Sequence, residues 1–260
     1  MSTPFNAQHI IAVGSGKGGV GKSTVSVNLA IVLAQQGLQV GLLDADVYGP
    51  SIPLMLGLRR LSPPKSNQQI VPLTKFGIQV VSLGFFVEEA RSVIWRGPLV
   101  HGTLEKLLYQ IQWNPLDFLI IDLPPGTGDV LLSLSQLLKI KGALVVCTPQ
   151  EAAMVDAVKA INAFNQLDIP LLGIVENMAG FVVPETGMTY HIFGQGKGEE
   201  LAQRFRTSLL VSIPLVQKIR EGGDEGIPCA LQQNTISQPF TQLATLLQES
   251  CLHQMSNPFL

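Results

Sequence analysis

Charged residues are scarce in this sequence. Asp, Glu, Lys and Arg make up 14% of the 260 residues, and the formal net charge is −2. Globular proteins carry about 25% charged residues on average. Without a basic stripe or a polybasic run, the sequence predicts binding to neither nucleic acid nor an anionic membrane surface. A small charged fraction leaves less solvated surface per residue, which favours a buried subunit interface.

Cysteines and long apolar runs are also few. The three cysteines, Cys147, Cys229 and Cys251, are far apart in the sequence. They form neither a disulfide framework nor a C-x-x-C metal motif, so we expect free thiols in a reducing compartment. No stretch approaches 18 consecutive apolar residues, which argues against a membrane-spanning helix. Residues 1–8 lack the charged and apolar regions of a signal peptide, so we expect a cytoplasmic protein.

Short apolar runs alternate with helical patterns along the chain. The apolar runs predict strands at 9–13, 40–43, 78–83, 118–121, 143–146, 171–175 and 209–213. Helical spacing begins at Lys22 and stops at Gly37, and further helices are predicted at 98–113, 151–167, 195–206 and 237–252. Residues 60–76 are polar and contain three prolines, which indicates a loop or a short hairpin. The alternation predicts an α/β fold with a doubly wound, mostly parallel β-sheet, helices on both faces and one domain over residues 1–260.

A glycine-rich loop follows the first predicted strand and precedes the first predicted helix. Its sequence, G-K-G-G-V-G-K-S, fits the phosphate-binding pattern G-x-x-x-x-G-K-[ST]. Small residues let consecutive backbone N–H groups wrap a polyphosphate, and the helix N-terminus adds a favourable dipole. Lys22 would reach the β- and γ-phosphates, Ser23 would hold Mg²⁺, and Thr24 would donate to the α-phosphate. The alternative is a glycine-rich turn that binds no nucleotide. The predicted ATP-binding residues are Gly16, Lys17, Gly18, Gly19, Val20, Gly21, Lys22, Ser23 and Thr24.

Aspartates end two of the predicted strands. Asp44 and Asp46 close the second strand two residues apart, so strand alternation predicts both carboxylates on one face. Asp122 follows an apolar strand, an arrangement in which the carboxylate meets Mg²⁺ beside a phosphate-binding loop. Gly126, in the loop after Asp122, can offer its backbone N–H to the γ-phosphate. Without the nearby glycine-rich loop, capping of a helix or exposure to solvent would explain such aspartates equally well.

An ordinary phosphate-binding loop does not require a lysine directly after its first glycine. The run G-K-G-G-V-G-K-S-T resembles the deviant Walker A motif of the MinD, ParA and nitrogenase iron protein superfamily. The resemblance implies a homodimer in which Lys17 reaches the partner's nucleotide, like an arginine finger supplied in trans. It also implies that Asp46 orients the attacking water and that Asp44 supports the magnesium shell. Asn177 and Pro214 match the two walls of the superfamily's adenine pocket. The alternatives are a solvated lysine at a loop tip and an asparagine that serves a turn.

These assignments define the candidate site. The candidate catalytic residues are Lys17, Lys22 and Asp46. The candidate magnesium ligands are Ser23, Asp44 and Asp122. We expect slow ATP hydrolysis without a partner, because such sites act as timers.

Further segments resemble the Mrp/ApbC family within that superfamily, whose members are described as iron–sulfur cluster carriers. The resemblance extends from Ile10 to about Pro228. The segments that carry it are D-A-D-V-Y-G-P-S at 44–51, I-W-R-G-P at 94–98, D-L-P-P-G-T-G-D at 122–129, T-P-Q at 148–150, V-E-N-M at 175–178, I-F-G at 192–194 and I-P-L at 213–215. The resemblance implies that an iron–sulfur apo-protein or an assembly protein is the client.

One motif of that family is missing. The family's F-x-C-P-x-C-G supplies two cysteines per subunit, and four thiolates across a dimer would hold a cluster. Here residues 181–187 read F-V-V-P-E-T-G, with Val183 and Thr186 at the cysteine positions. We therefore expect no bridged iron–sulfur cluster there. Three interpretations stay open: a cluster held by other ligands such as Cys229 or His191, help in cluster assembly without bound iron, or a different role.

Two other classes of function compete with a carrier. A ParA- or MinD-like switch would position DNA or another assembly on a surface. Residues 251–260 contain no Lys or Arg for membrane binding, and DNA binding would need a basic stripe. A small-molecule kinase or ligase would need cationic residues around an acceptor pocket, and none cluster in the sequence. The sequence therefore favours an ATPase that works as a nucleotide-switched homodimer.

Overall fold

Strands alternate with helices in the computed structural model, which describes residues 5–46, 49–59, 61–66, 69–86, 98–126, 128–183 and 185–256. The strands are β1 (Ala7–Gly14), β2 (Val40–Asp44), β3 (Lys65–Ser66), β4 (Gln69–Ile70), β5 (Leu73–Lys75), β6 (Ile78–Ser82), β7 (Leu116–Asp122), β8 (Gly142–Cys147), β9 (Leu171–Val182), β10 (Thr189–Tyr190) and β11 (Leu209–Leu215). The helices are α1 (Lys22–Gln35), α2 (Ile52–Met55), α3 (Pro98–Gln110), α4 (Asp129–Leu137), α5 (Glu151–Gln166), α6 (Lys197–Arg204), α7 (Gln217–Glu225) and α8 (Gln238–Ser256).

One mostly parallel sheet organises the fold. Its order is β10-β9-β8-β1-β7-β2-β6-β5, and β11 pairs with β9. Only the short β5 and β10 pair antiparallel to their neighbours in the described part of this sheet. The strands β1, β7 and β2 are neighbours and run in the same direction. Their carboxyl ends therefore meet at one edge, where ligands of such sheets bind.

The core lies on both faces of the sheet. On β1, Ile10 and Ala12 pack into a cluster with residues of α3, α4, α5 and α6. The alternate residues Ile11 and Val13 pack into a second cluster with α1 and α8. Successive side chains of a strand point to opposite faces, so a strand covered on both sides must be apolar throughout. The predicted doubly wound α/β fold is confirmed, while the single-domain organisation stays a prediction.

Some elements differ from the sequence-based expectations. β9 continues to Val182 rather than ending near residue 175, because β11 and β10 both pair with its far end. The region 60–76 does contain the expected hairpin, β3–β4, and it adds β5 beside β6. The helices α2, α4 and α7 were not predicted from the sequence. None of the residues of α7 is buried, so no apolar spacing indicates this helix. Residues 47–48 and 94–97, which carry part of the family resemblance, lie outside the described residues. In the described ranges, no helix is long and apolar enough to cross a membrane.

Candidate nucleotide-binding site

The glycine-rich loop joins the end of β1 to the first residue of α1. Gly19 and Gly21 have φ values of +83° and +87°, a left-handed conformation that glycine adopts without steric cost. A Cβ atom at Gly21 would collide with the side chain of Asn177. A Cβ atom at Gly16 would collide with the α5 backbone at Asp156. The loop therefore needs glycine both for its own turns and for close contact with its neighbours.

A buried ion pair between Lys22 and Asp122 lies at the start of α1. Lys22 is 6% exposed, Asp122 is fully buried, and Lys22 Nζ lies 2.8 Å from Asp122 Oδ2. Ser23 Oγ donates to the same oxygen over 2.6 Å, and Ser26 Oγ donates to Asp122 Oδ1 over 2.7 Å. Hydroxyl and carboxylate oxygens are the donors that Mg²⁺ prefers, and an ammonium suits a phosphate. These residues therefore fit a magnesium–nucleotide complex.

Asp44 lies beside this ion pair, in register with Asp122 on the neighbouring strand. It is fully buried; its Oδ2 accepts from Ser82 Oγ over 2.8 Å, and its Oδ1 accepts from the Asp46 N–H over 3.1 Å. Burial and then the charge of Asp122 raise the pKa of Asp44 to about 8. The structure differs here from the expected alternation. β2 ends at Asp44, so Asp46 lines the adjoining cavity while Asp44 lies behind the cavity wall and fixes the backbone at Asp46.

A cavity of about 440 Å³ opens beside the glycine-rich loop, a volume within the range of small-molecule sites. It brings together parts of the chain that are far apart in sequence. Asp46 lines it, as do Leu54 and Met55 of α2. The loop and the start of α1 contribute Ser15, Lys17, Gly18, Gly19, Val20, Gly21, Lys22, Ser23 and Thr24, whereas Gly16 packs away from the cavity against α5.

The predicted base-binding residues line the same cavity. Asn177 is buried, and its Nδ2 donates to the Val20 carbonyl over 2.8 Å, so β9 is tied directly to the loop. Met178 follows with a φ of +57°, a left-handed conformation that turns the chain beside the cavity. Pro214 lines the cavity with the start of α7. The fold therefore assembles Asn177 and Pro214 next to the phosphate-binding loop.

Lys17 and Gly126 make contacts within their own chain. Lys17 is half-buried, and its Nζ donates to Gln150 Oε1 over 3.1 Å. Gly126 has a φ of +88°, and its N–H donates to the Ser15 carbonyl over 2.9 Å rather than pointing free toward a phosphate. The single Gly126 N–H has to exchange this partner before it can meet a phosphate, and the hydrogen bond to Gln150 places the Lys17 ammonium against its own subunit.

Asp46 is held by its own loop. It is half-buried, and its Oδ1 accepts from the Gly49 N–H over 3.1 Å. This hydrogen bond fixes the Asp46 carboxylate within the loop that follows β2, where Asp46 lines the cavity.

The segment that lacks the cysteine motif forms the connection between β9 and β10. The Val183 N–H donates to the Met188 carbonyl over 2.9 Å, and the Gly187 N–H donates to the Val183 carbonyl over 2.8 Å. The exposed side chains of Val182, Met188 and Tyr190 make this turn apolar. Pro184 lies outside the described residues.

The alternative iron ligands considered from the sequence are not gathered into a metal site. Cys229 is buried, its Sγ donates to Asn28 Oδ1 over 3.3 Å, and burial raises the pKa of its thiol to about 11. His191 Nδ1 lies 3.1 Å from the Ala179 carbonyl oxygen. Across the residues that the structure describes, no group of three or more His, Cys, Asp or Glu side chains could hold a metal ion.

Several residues of the site were not predicted from the sequence. Ser26 lies one helical turn after Ser23, and that spacing was the signal for a second hydroxyl on Asp122. Ser82 carries no motif, and Gln150 ends the family-like run T-P-Q, but only the fold places these two residues beside Asp44 and Lys17. No motif in the sequence indicates the cavity-lining residues of α7, which are Ile219, Arg220, Gly223 and Asp224.

Comparison with known proteins places the chain among nucleotide-binding proteins of one family. Residues 6–248 match the model of the ParA family described as NUBPL iron-transfer P-loop NTPase. The iron–sulfur cluster carrier protein of Haemophilus influenzae is 49% identical over 240 residues, which cover 91% of this chain and 65% of that protein. This chain thus spans less than two thirds of that relative.

Solved structures show the same fold. A nucleotide-binding protein from Archaeoglobus fulgidus, solved in complex with ADP, matches with a TM-score of 0.78 and 39% identity, covering 90% of this chain and 92% of that one. The cell division ATPase MinD of Pyrococcus furiosus matches with a TM-score of 0.68 and 24% identity, covering 93% of this chain and 99% of that one. At that lower identity the MinD likeness shows the fold alone.

Proposed function

Since this chain belongs to the ParA/NUBPL family of iron-transfer P-loop NTPases, we propose that it binds and hydrolyses Mg-ATP as a homodimer that serves iron–sulfur protein maturation. The observation that carries the proposal is the cluster of Lys22, Ser23 and Asp122 at the start of α1. A buried ammonium, a hydroxyl and a carboxylate at the edge of a glycine loop suit a phosphate with its magnesium ion. The ADP bound by the Archaeoglobus relative supports a nucleotide in the same kind of cavity.

The residues around the cavity have separate proposed roles. The loop N–H groups and Lys22 hold the phosphates, and Ser23 and Asp122 hold Mg²⁺. Asn177 and Pro214 flank the base. ATP supplies the phosphoryl group, and Mg²⁺ neutralises part of its charge. Asp46 positions the attacking water, and Asp44 supports the magnesium site by fixing Asp46 and by lying next to Asp122.

Lys17 and Gly126 would act only after the closure of the homodimer. The Lys17 side chain releases Gln150 of its own subunit and stabilises the charge that develops on the partner's nucleotide. Gly126 offers its N–H to the γ-phosphate after it releases the Ser15 carbonyl. Exchange of these two contacts would make hydrolysis depend on dimer closure, so we expect slow turnover by the isolated subunit.

The client in this proposal is an iron–sulfur apo-protein or an assembly protein, and the chain holds no bridged cluster at 183–186. Val183 has no donor atom, and the Thr186 hydroxyl is not a thiolate. The name of the Haemophilus relative supports the link to cluster carriage. A competing proposal is a partner-positioning ATPase without a metal cargo, and the Val183 and Thr186 replacements favour it over a full carrier.

The test combines ATPase activity, oligomeric state and iron content on one sample. The purified chain is reconstituted anaerobically, and iron and acid-labile sulfide are counted beside ATP turnover and the mass in solution with ATP. Lys22→Ala should abolish nucleotide binding or hydrolysis, while Lys17→Ala should keep most binding but impair hydrolysis and dimer closure. ATPase activity without iron supports the switch without its own cluster. Near-stoichiometric iron that survives replacement of all three cysteines would contradict the proposal that the chain holds no bridged cluster at 183–186.

A further inference from the structure

The lysine proposed to act in trans is held within its own chain by one side chain. Lys17 Nζ donates to Gln150 Oε1 over 3.1 Å, and both residues are half-buried. Gln150 immediately precedes α5, and 133 residues separate it from Lys17 in the sequence. The fold, and no local pattern, therefore creates this contact.

Close backbone packing fixes the distance between the loop and α5. Gly16, the residue before Lys17, lies so near α5 that a Cβ atom would collide with the backbone of Asp156 and approach Ala157 N within 2.5 Å. A glycine at this position lets the loop touch the helix directly. The residue before Lys17 thus contacts α5 at Asp156, roughly 9 Å along the helix axis from Gln150, so Lys17 does not begin from a free loop tip.

The start of α5 is anchored on its other side as well. Glu151, next to Gln150, forms an ion pair with Lys197 at the start of α6 over 3.2 Å. In α6 the Gly198 N–H donates over 2.8 Å to the buried carboxylate of Glu176, which directly precedes Asn177. A carboxylate at a helix N-terminus is favourably placed toward the helix dipole. The residue after Gln150 is therefore linked through the start of α6 to the strand that carries Asn177 in the cavity wall.

We infer that Gln150 is a positioning residue for Lys17, which it holds in cis until the two subunits close around the nucleotide. The inference rests on the proposed function. The amide carbonyl of glutamine offers an ammonium a charge-assisted hydrogen bond but no opposite charge. Such a contact orients the lysine and is exchanged for a phosphate oxygen at little cost. A carboxylate at the same place would hold the lysine more strongly.

The test compares two substitutions with opposite expected effects. Gln150→Glu should hold Lys17 as an ion pair, so the ATP-dependent dimer fraction and kcat should fall about threefold to tenfold, with unchanged ATP affinity of the separate subunit. Gln150→Ala should release Lys17, so the dimer fraction at limiting ATP should rise. Gln166→Glu is the matched control, because it adds the same charge at the exposed far end of α5, roughly 24 Å away along the helix. It should behave like the wild type.

Removal of the lysine decides whether the effect acts through Lys17. In a Lys17→Ala background, Gln150→Glu should change neither kcat nor the dimer fraction further. An equal effect of Gln150→Glu in both backgrounds would overturn the inference, since general damage to α5 does not depend on Lys17. Effects of the same sign from Gln150→Glu and Gln150→Ala would also overturn it.

A second measurement tests the cis contact without any ATPase activity. The rate of Lys17 acylation is followed by peptide mass spectrometry in the nucleotide-free protein. Gln150→Ala should speed the modification and Gln150→Glu should slow it, while labelling of the exposed Lys159 stays constant. Labelling that responds in this way in a chain without ATPase activity supports the contact and contradicts the proposed function instead. Equal labelling of Lys17 in all variants overturns the contact itself.

Discussion

Asp44 and Asp122 lie side by side in register at the ends of β2 and β7, and both side chains are fully buried. Asp122 accepts from two serines and pairs with Lys22, whereas Asp44 accepts from Ser82 and one backbone N–H. Two neighbouring carboxylates cannot both carry charge cheaply in a buried place. Asp44, which has no cation against it among the described residues, therefore keeps its proton to a higher pH than an ordinary aspartate.

This arrangement predicts how the stability of the nucleotide-free protein depends on pH. The folded-state pKa of Asp44 is raised from 3.8 to about 8, so the native protein retains a proton there that the unfolded chain has released. The stability from this group is complete below about pH 4 and is lost as the pH rises through about 8. Asp44→Asn removes the titration. Its free energy of unfolding should therefore fall less between pH 5 and pH 9 than that of the wild type. Urea unfolding at several pH values without Mg²⁺ measures this, and parallel pH profiles would contradict the assignment.

Removal of Lys22 should affect both folding and nucleotide binding. Lys22→Met leaves the buried carboxylate of Asp122 without its cation, which should lower the free energy of unfolding by about 3 kcal/mol. Calorimetry should show no nucleotide binding. The exposed Lys159, which pairs with Asp156 on α5, supplies the control. Lys159→Met should change stability by no more than about 0.5 kcal/mol. A stable Lys22→Met protein that still binds ATP would contradict the role of the pair.

Two glycines of the loop should tolerate a methyl group very differently. Gly16→Ala places a Cβ against the α5 backbone, so the loop or the helix must move, at a cost of about 1–3 kcal/mol. Gly18→Ala meets only Pro125 Cγ at 4.0 Å and should change stability by no more than about 0.5 kcal/mol. Thermal unfolding without nucleotide compares the two variants. Equal melting temperatures would mean that the loop does not pack on α5 as described.

Substitution of cysteines at positions 183 and 186 should create an iron–sulfur cluster site. The double variant Val183→Cys, Thr186→Cys should bind iron and sulfide on anaerobic reconstitution, because a dimer would then offer four thiolates. The native cysteines supply no substitute, since burial raises the pKa of Cys147 to about 12 and of Cys229 and Cys251 to about 11. Their alkylation in the native protein should be slow at neutral pH. The single variants are the controls. A double variant with no more iron than the wild type would contradict the expected geometry of the dimer.

Much of this fold could be predicted from short-range patterns. The helix from Lys22 and the strand that ends at Asp122 have the expected places, and the stop at Gly37 agrees with the end of α1 at Gln35. Patterns failed where an element lacks its own apolar face, as in α7, or where distant partners extend it, as in β9. The prediction that Asp44 and Asp46 share one face of a strand also failed, because side chains alternate between faces only within a strand and β2 ends at Asp44.

The sequence by itself determined the phosphate-binding loop, the strand-end aspartates and the absence of cysteines at 183 and 186. Each of these features is contained in a few consecutive residues. Only the tertiary structure decided that Gln150 meets Lys17 across 133 residues and that Asn177 meets Val20 across 157. Such contacts depend on the order of strands in the sheet, which sets β8 and β9 on one side of β1 and β7 and β2 on the other. No local pattern specifies that order, because it follows from how all the apolar faces are buried together.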